Sequence, residues 1–283
     1  MNGPLIEAAE LAERAAQPGW VVVDCRFDLL APARGREQYL EAHIPGARYA
    51  DLDRDLARLP GPHEGRHPLP DAGQFAERLG EWGIDEDTAV VAYDAQGGAI
   101  AARLWWLLRW IGHERAYLLN GGLPAWQRLG LPLERTPPEV QPRRYRLART
   151  ADAAVVATEE IEAHLRRGGL LVDVRAPARY AGEQEPIDPV AGHVPGAVNR
   201  PFTANLGPDG RFLPAPALRA ELAALLGGRS PGDVVAMCGS GVTACHLLAA
   251  LAAAGVDGGR LYAGSWSEWI RDPGRPVRTG HEP

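Results

Sequence analysis

Short apolar runs rich in valine recur along the chain, at Trp20–Asp24, Ala89–Tyr93, Leu170–Asp173 and residues 233–237. Runs of that length bounded by turn-forming residues read as buried strands. Between them lie amphipathic stretches at residues 72–82 and 215–226, with apolar side chains at helical spacing. Strand–helix alternation predicts an α/β fold, with doubly wound, mainly parallel sheets flanked by helices. In such sheets ligands sit beyond the carboxyl ends of the strands. Candidate chemistry is therefore sought just after each run.

The pattern occurs twice. Val-Val-Val-Asp24-Cys25-Arg26 matches Leu-Leu-Val-Asp173-Val174-Arg175, and His43-Ile-Pro-Gly-Ala matches His193-Val-Pro-Gly-Ala. Val-Val-Ala-Tyr93-Asp94 matches Val-Val-Ala-Met237-Cys238, and a Gly-x-x-x-x-Trp occurs at 121–126 and at 264–269. The order is conserved between the halves and the offset stays near ~147 residues, too long for a solenoid and right for a duplicated domain. A proline-rich stretch at 131–138 leads into an apolar-poor segment, which suits a linker at about 133–155. The expected domains are residues 1–135 and 136–283.

Composition narrows the function classes. Net charge is −6, which removes any general pull towards nucleic acid or acidic membranes. The basic run 143–146 reads as solvated linker. Three cysteines, Cys25, Cys238 and Cys245, are too few for a disulfide framework, and none has zinc spacing. The first residues lack a basic start followed by an apolar core, and the longest apolar run is far short of a membrane span. A cytoplasmic protein with free thiols, without metal, nucleic-acid or membrane partners, is the expectation.

The duplication separates fold from chemistry. Asp24/Asp173, Arg26/Arg175 and His43/His193 occur in both halves and are expected to serve the shared fold. Cys238 occurs once, and its counterpart is Asp94, which cannot form a sulfur adduct. Cys238 follows a strand and precedes Gly239, Ser240, Gly241, Val242 and Thr243, after which a helical run begins at Ala244. Glycines let the backbone curl and turn N–H groups inward, and the helix start adds partial positive charge. Both favour a thiolate, or an anionic persulfide, over a neutral thiol. A phosphatase loop of similar shape needs an arginine six positions after the cysteine. Ala244 stands there, so phosphate chemistry is not expected. Cys25 and Cys245 read as buried structural cysteines.

These residues resemble the tandem-domain rhodanese superfamily. The Asp-x-Arg strand ends, His-x-Pro-Gly-Ala, Gly-Ser-Trp-x-Glu-Trp at 264–269 and the loop at 238–245 carry the resemblance over nearly the whole chain. The loop is similar to that of the family's mercaptopyruvate-using members. The thiosulfate-using members usually carry positive residues where Gly239 and Ser240 stand. The resemblance implies that Cys238 takes sulfur from a donor as a persulfide and passes it to cyanide, a small thiol or thioredoxin, with no separate cofactor. It implies substrate contacts from Gly239, Gly241, Val242 and Thr243, and places Ser240 near protonation of the leaving pyruvate enolate. Arg179 matches a donor-binding arginine, and Leu30 is taken as its counterpart in the first half. Asp53 and His67 match positions opposite the active loop, and Trp266 is a candidate apolar wall.

One departure leaves the donor open. Members that use mercaptopyruvate typically carry a second arginine after a Glu-Pro pair, but Glu185-Pro186 is followed here by Ile187. The second clamp is either missing or supplied from elsewhere, and thiosulfate remains an alternative donor. A persulfide carrier without turnover is the non-enzymatic alternative.

Overall fold

A computed structural model describes residues 3–283. The first sheet contains β1 (Leu5–Ile6), β2 (Trp20–Asp24), β3 (Arg48–Tyr49), β4 (Ala89–Tyr93) and β5 (Ala116–Leu119), in the order β1-β5-β4-β2-β3. The second contains β6 (Leu170–Asp173), β7 (Val198–Asn199), β8 (Val234–Met237) and β9 (Arg260–Leu261), in the order β7-β6-β8-β9. Every pairing between these strands is parallel. A single parallel bridge from Val155 to Leu261 takes the place beside β9 that β1 takes beside β5. The two sheets therefore repeat one topology.

The helices are α1 (Ala8–Arg14), α2 (Ala33–Glu41), α3 (Ala72–Glu81), α4 (Ala101–Trp110), α5 (Gly122–Arg128), α6 (Ile161–Arg166), α7 (Pro177–Tyr180), α8 (Ala215–Leu226), α9 (Ala244–Ala253) and α10 (Ser265–Trp269). The amphipathic stretches of the sequence become α3 and α8. Asp71 starts α3 by accepting the N–H of Gln74. Val22, Val91 and Tyr93 pack with Leu11, Tyr39 and Trp126 on one face of the first sheet. Their strand neighbours Val21, Val23, Val90 and Ala92 point the other way and are just as buried. Burial on both faces explains why the strands read as unbroken apolar runs. Among the described residues no helix is long and apolar enough to cross a membrane.

The residues common to both halves do the same structural work twice. Arg26 forks onto the Asp24 carboxylate and reaches the carbonyl of Ala42, while Arg175 forks onto Asp173 and reaches the carbonyl of Gly192. His43 bonds the carbonyl of Tyr39 and stacks on its ring at 4.0 Å, while His193 does the same with Tyr180 at 3.7 Å. Trp126 donates to Pro132 and Trp269 to Pro276.

The chain forms two compact units, and their borders differ from a single cut at 135/136. The first unit comprises the chain up to Arg58, Leu69–Ala151 and Gly207–Phe212; the second comprises Leu59–Pro68, Asp152–Leu206 and Leu213–Pro283. Residues 136–151 stay with the first unit because Arg143 bonds Gly80 and Asp85, and Ala151 bonds Trp110. The basic run is thus exposed but pinned. The segment 207–212 joins the first unit through Phe212 on Asn120 and Arg211 on Glu7. The segment 59–68 joins the second through Gly65 and Arg66, described below.

Candidate active site

Cys238 follows directly on β8, and the loop Gly239–Thr243 carries the chain to the start of α9. Gly241 adopts φ 74°, and a Cβ there would stand 2.3 Å from the carbonyl oxygen of Ala263. Only glycine permits this turn. The N–H groups of Ser240, Val242, Thr243 and Ala244 bond no protein acceptor among the described residues. They lie at the amino end of the ten-residue α9, where donors and helix dipole favour an anion.

The short helix α10 fixes the loop residue by residue. The Oγ of Ser265 accepts the Cys238 N–H at 3.0 Å and donates to the carbonyl of Tyr262 at 2.8 Å. Ser265 is fully buried at φ 53°, the one non-glycine residue at positive φ among those described. A serine held there is strained, and its two hydrogen bonds hold it in place. Its counterpart in the first unit is Gly122, at φ 56°. Next, the N–H groups of Trp266 and Ser267 donate to the carbonyls of Cys238 and Gly239. The Oγ of Ser267 accepts the N–H of Arg66 at 3.0 Å, and Glu268 accepts that of Gly65 at 3.0 Å. A Cβ on Gly65 would collide with the carbonyl of Gly264 at 2.5 Å, so glycine lets this segment approach.

The anchored segment carries His67 and Arg66 to the loop. His67 is buried, and its Nδ1 shares a hydrogen bond with Ser240 Oγ at 2.7 Å. A Cβ on Gly239 would stand 2.9 Å from Arg66 Nη2 and 3.6 Å from Arg179 Nη1 and Nη2. Two guanidinium groups therefore converge on the residue after Cys238. Arg179 is braced by Glu185, at 2.7 Å from Nη2, and by Asp188 at 3.2 Å. Arg66 Nη1 pairs with the other oxygen of Asp188. Beneath them Arg175 joins Asp173 and Glu185 and lies 4.9 Å from the ring centre of Trp266.

Electrostatics follow from this arrangement. Burial pushes the Asp188 carboxyl above its usual range, against the pull of Arg66. Burial also opposes ionisation of Glu185, but hydrogen bonds from Arg179 and from the N–H groups of Asp188 and Ile187 outweigh it and hold that carboxyl below its usual range. Glu185 is thus a fixed anion that orients Arg175 and Arg179.

The second unit thus brings Cys238, Gly239, Ser240, Gly241, Val242, Thr243, Arg179 and His67 into one cluster. Two expectations change. Trp266 is fully buried in the core beneath Arg175 with its Nε1 on the carbonyl of Val190, so it is a floor rather than a pocket wall. Leu30 is not the counterpart of Arg179. The matched stacks pair Tyr39 with Tyr180, so Gln38 corresponds to Arg179; the first half carries extra residues before α2. Asp53 lies exposed in the first unit, with its N–H on Asp51. Sequence reading missed Arg66, Ser265, Ser267, Glu185 and Asp188. Glu185 carried a local signal in the Glu-Pro pair, and Ser265 and Ser267 lie within the motif at 264–269, where no role was read for them.

Comparison with known proteins identifies the family. The rhodanese-like domain family matches residues 7–129 and again 157–272. The chain is 51% identical over 282 residues to a protein of Pseudomonas aeruginosa named probable 3-mercaptopyruvate sulfurtransferase, covering 99% of each chain. It is 35% identical to the thiosulfate sulfurtransferase of Bos taurus, over 89% of this chain and 86% of that one. The solved 3-mercaptopyruvate sulfurtransferase from Leishmania major superposes with a TM-score of 0.84 at 31% identity, covering 96% of this chain and 76% of the other. The chain belongs to the rhodanese family, as a sulfurtransferase built from two rhodanese-like domains.

Proposed function

We propose that the chain moves sulfur from 3-mercaptopyruvate to cyanide or a thiol through a persulfide on Cys238. The hydrogen bond between His67 and Ser240, two residues after Cys238, carries this reading. Sulfite leaving from thiosulfate needs no proton, whereas pyruvate leaving from mercaptopyruvate departs as an enolate whose carbon must gain one. A serine–histidine pair beside the nucleophile suits the second donor.

The Cys238 thiolate attacks the donor sulfur, a sulfur–sulfur bond forms, and the carbon–sulfur electron pair passes into the enolate. The proton that had been on the donor sulfur is released as the persulfide ionises. Ser240 and His67 relay a proton to the enolate carbon, so atoms and charge balance. The open N–H groups at the start of α9 and the guanidinium of Arg179 then face a bound anion. A thiol such as that of thioredoxin, or cyanide, attacks the outer sulfur and regenerates Cys238. The sulfur is held covalently, so the scheme calls on no separate cofactor.

Thiosulfate is the second reading, favoured by Ile187 and by guanidinium groups that accept sulfur oxyanions as readily as carboxylates. Steady-state kinetics with both donors and cyanide as acceptor separate the two. The wild-type chain is expected to show the larger kcat/KM with mercaptopyruvate. Ser240→Ala or His67→Gln is expected to lower kcat with mercaptopyruvate by about 10²-fold, as for loss of a general acid, and to leave thiosulfate turnover within a few-fold. Equal losses with both donors would contradict the proton-relay role.

A further inference from the structure

We infer that residues 277–280 are a strap that closes the neck of the loop behind Arg179 and so positions that arginine for the donor anion. This role rests on the reading of Arg179 as a donor-binding residue and deepens it.

The duplication isolates the loop. Three residues separate Tyr39 from His43 in the first unit, and twelve separate Tyr180 from His193 in the second. The matched Tyr–His stacks fix both ends of each segment, so the extra length is an insertion between them. The insertion carries Glu185 and Asp188, whose buried carboxylates brace Arg179. Glu185 accepts from Arg179 Nε and Nη2 together. The direction of the guanidinium is therefore set by where the loop holds Glu185.

The two ends of the loop meet at glycines. A Cβ on Gly182, at φ 76°, would stand 3.2 Å from the backbone nitrogen of Gly192 and 2.9 Å from Thr279 Cγ2. One on Gly192, at φ 118°, would stand 2.4 Å from the carbonyl oxygen of Arg278. Close ends make this a compact Ω-type loop, and residues 278–280 cross its neck. The crossing is bonded on both sides. His193 and Arg278 exchange both backbone hydrogen bonds, at 2.8 and 3.0 Å, and the Gly280 N–H donates to the carbonyl of Ala181 at 2.8 Å.

The first unit keeps only the part of this arrangement that serves the fold. His43 and Glu134 exchange the same pair of backbone bonds. Thr136 stands where Gly280 stands, and its N–H bonds no backbone carbonyl among the described residues. The tie at Gly280 thus occurs where there is a loop to close. The strap also has a fixed root, because Trp269 Nε1 donates to the carbonyl of Pro276. Trp269 belongs to α10, the helix whose Ser265 accepts the Cys238 N–H. The nucleophile and the loop behind Arg179 are therefore referred to one short helix.

The test uses the full chain carrying Gly280→Pro, which removes the N–H and cannot adopt the φ of 90° found there. Hydrogen exchange read by mass spectrometry is expected to quicken about tenfold or more over residues 183–192 and to stay unchanged over β6 and β8. With cyanide as acceptor, KM for mercaptopyruvate is expected to rise about fivefold or more, with kcat within about threefold, because Cys238 and its loop are untouched. A strap that served stability alone would lower the urea midpoint without moving KM. A chain ended after Pro276 removes every tie at the neck and is expected to show both changes more strongly; if it does not fold, Gly280→Pro alone carries the test. Unchanged exchange over 183–192 in the folded variants, or faster exchange with unchanged KM, overturns the inference. Failure of the wild-type chain to use mercaptopyruvate overturns the donor reading instead. In that event a rise in thiosulfate KM on Gly280→Pro still supports the strap, and no change overturns it.

Discussion

Cys25 and Cys238 each follow a buried strand, and their surroundings give them different fates. Cys25 is fully buried, and burial together with the Asp24 and Asp94 carboxylates pushes its thiol well above the usual range. It stays protonated and inert. Cys238 opens the loop that leads into α9, and two guanidinium groups converge on the residue after it, Gly239. The histidines show the same dependence on environment. His113, His164 and His193 are buried, and burial lowers all three below the ordinary value of about 6.5. A histidine depressed in the folded state contributes stability that is complete above its unfolded value and is lost as pH falls through its folded one. Stability is therefore expected to drop by about 1 kcal/mol or more between pH 7.5 and pH 5.5, read from urea midpoints. An equal or higher midpoint at pH 5.5 would contradict the assignment of these rings as neutral.

At the scale of elements, the start of α4 mirrors the start of α9. The Asp94 carboxylate accepts four N–H groups, from Gln96, Gly98, Ile100 and Ala101. It fills with its own charge the anion cradle that the second unit leaves open. The sequence marked Asp94 as an inert counterpart; the structure makes it the anion that holds the first loop and starts α4. Asp94→Ala is expected to cost about 2–4 kcal/mol, because buried N–H groups lose a charged acceptor. Chemical denaturation checks this, and a change under about 0.5 kcal/mol would contradict it. The elements themselves were legible, since β2, β4, β6 and β8 are short apolar runs and α3 and α8 carry apolar side chains at helical spacing. Position along them was less so. Leu30 was paired with Arg179 because the extra residues before α2 carry no local mark, and only the matched Tyr–His stacks reveal the offset.

At the scale of the whole molecule, duplication was readable and the exchange of short segments was not. Glu268 and Gly65 are 203 positions apart, and no local pattern announces that they meet. For this reason Cys238 could be found from its own neighbourhood, Ser240 and Arg179 were reached through a resemblance, and Arg66 was not reached at all. His67 was found only through a resemblance. The account as a whole stands on one chemically competent thiol in a chain with three. Mass analysis after a single exposure to mercaptopyruvate without acceptor tests this most directly. One added sulfur is expected, localised by fragmentation to Cys238 rather than Cys245 or Cys25, and removed on addition of cyanide. An unmodified Cys238, or an adduct confined to Cys25 or Cys245, would contradict it.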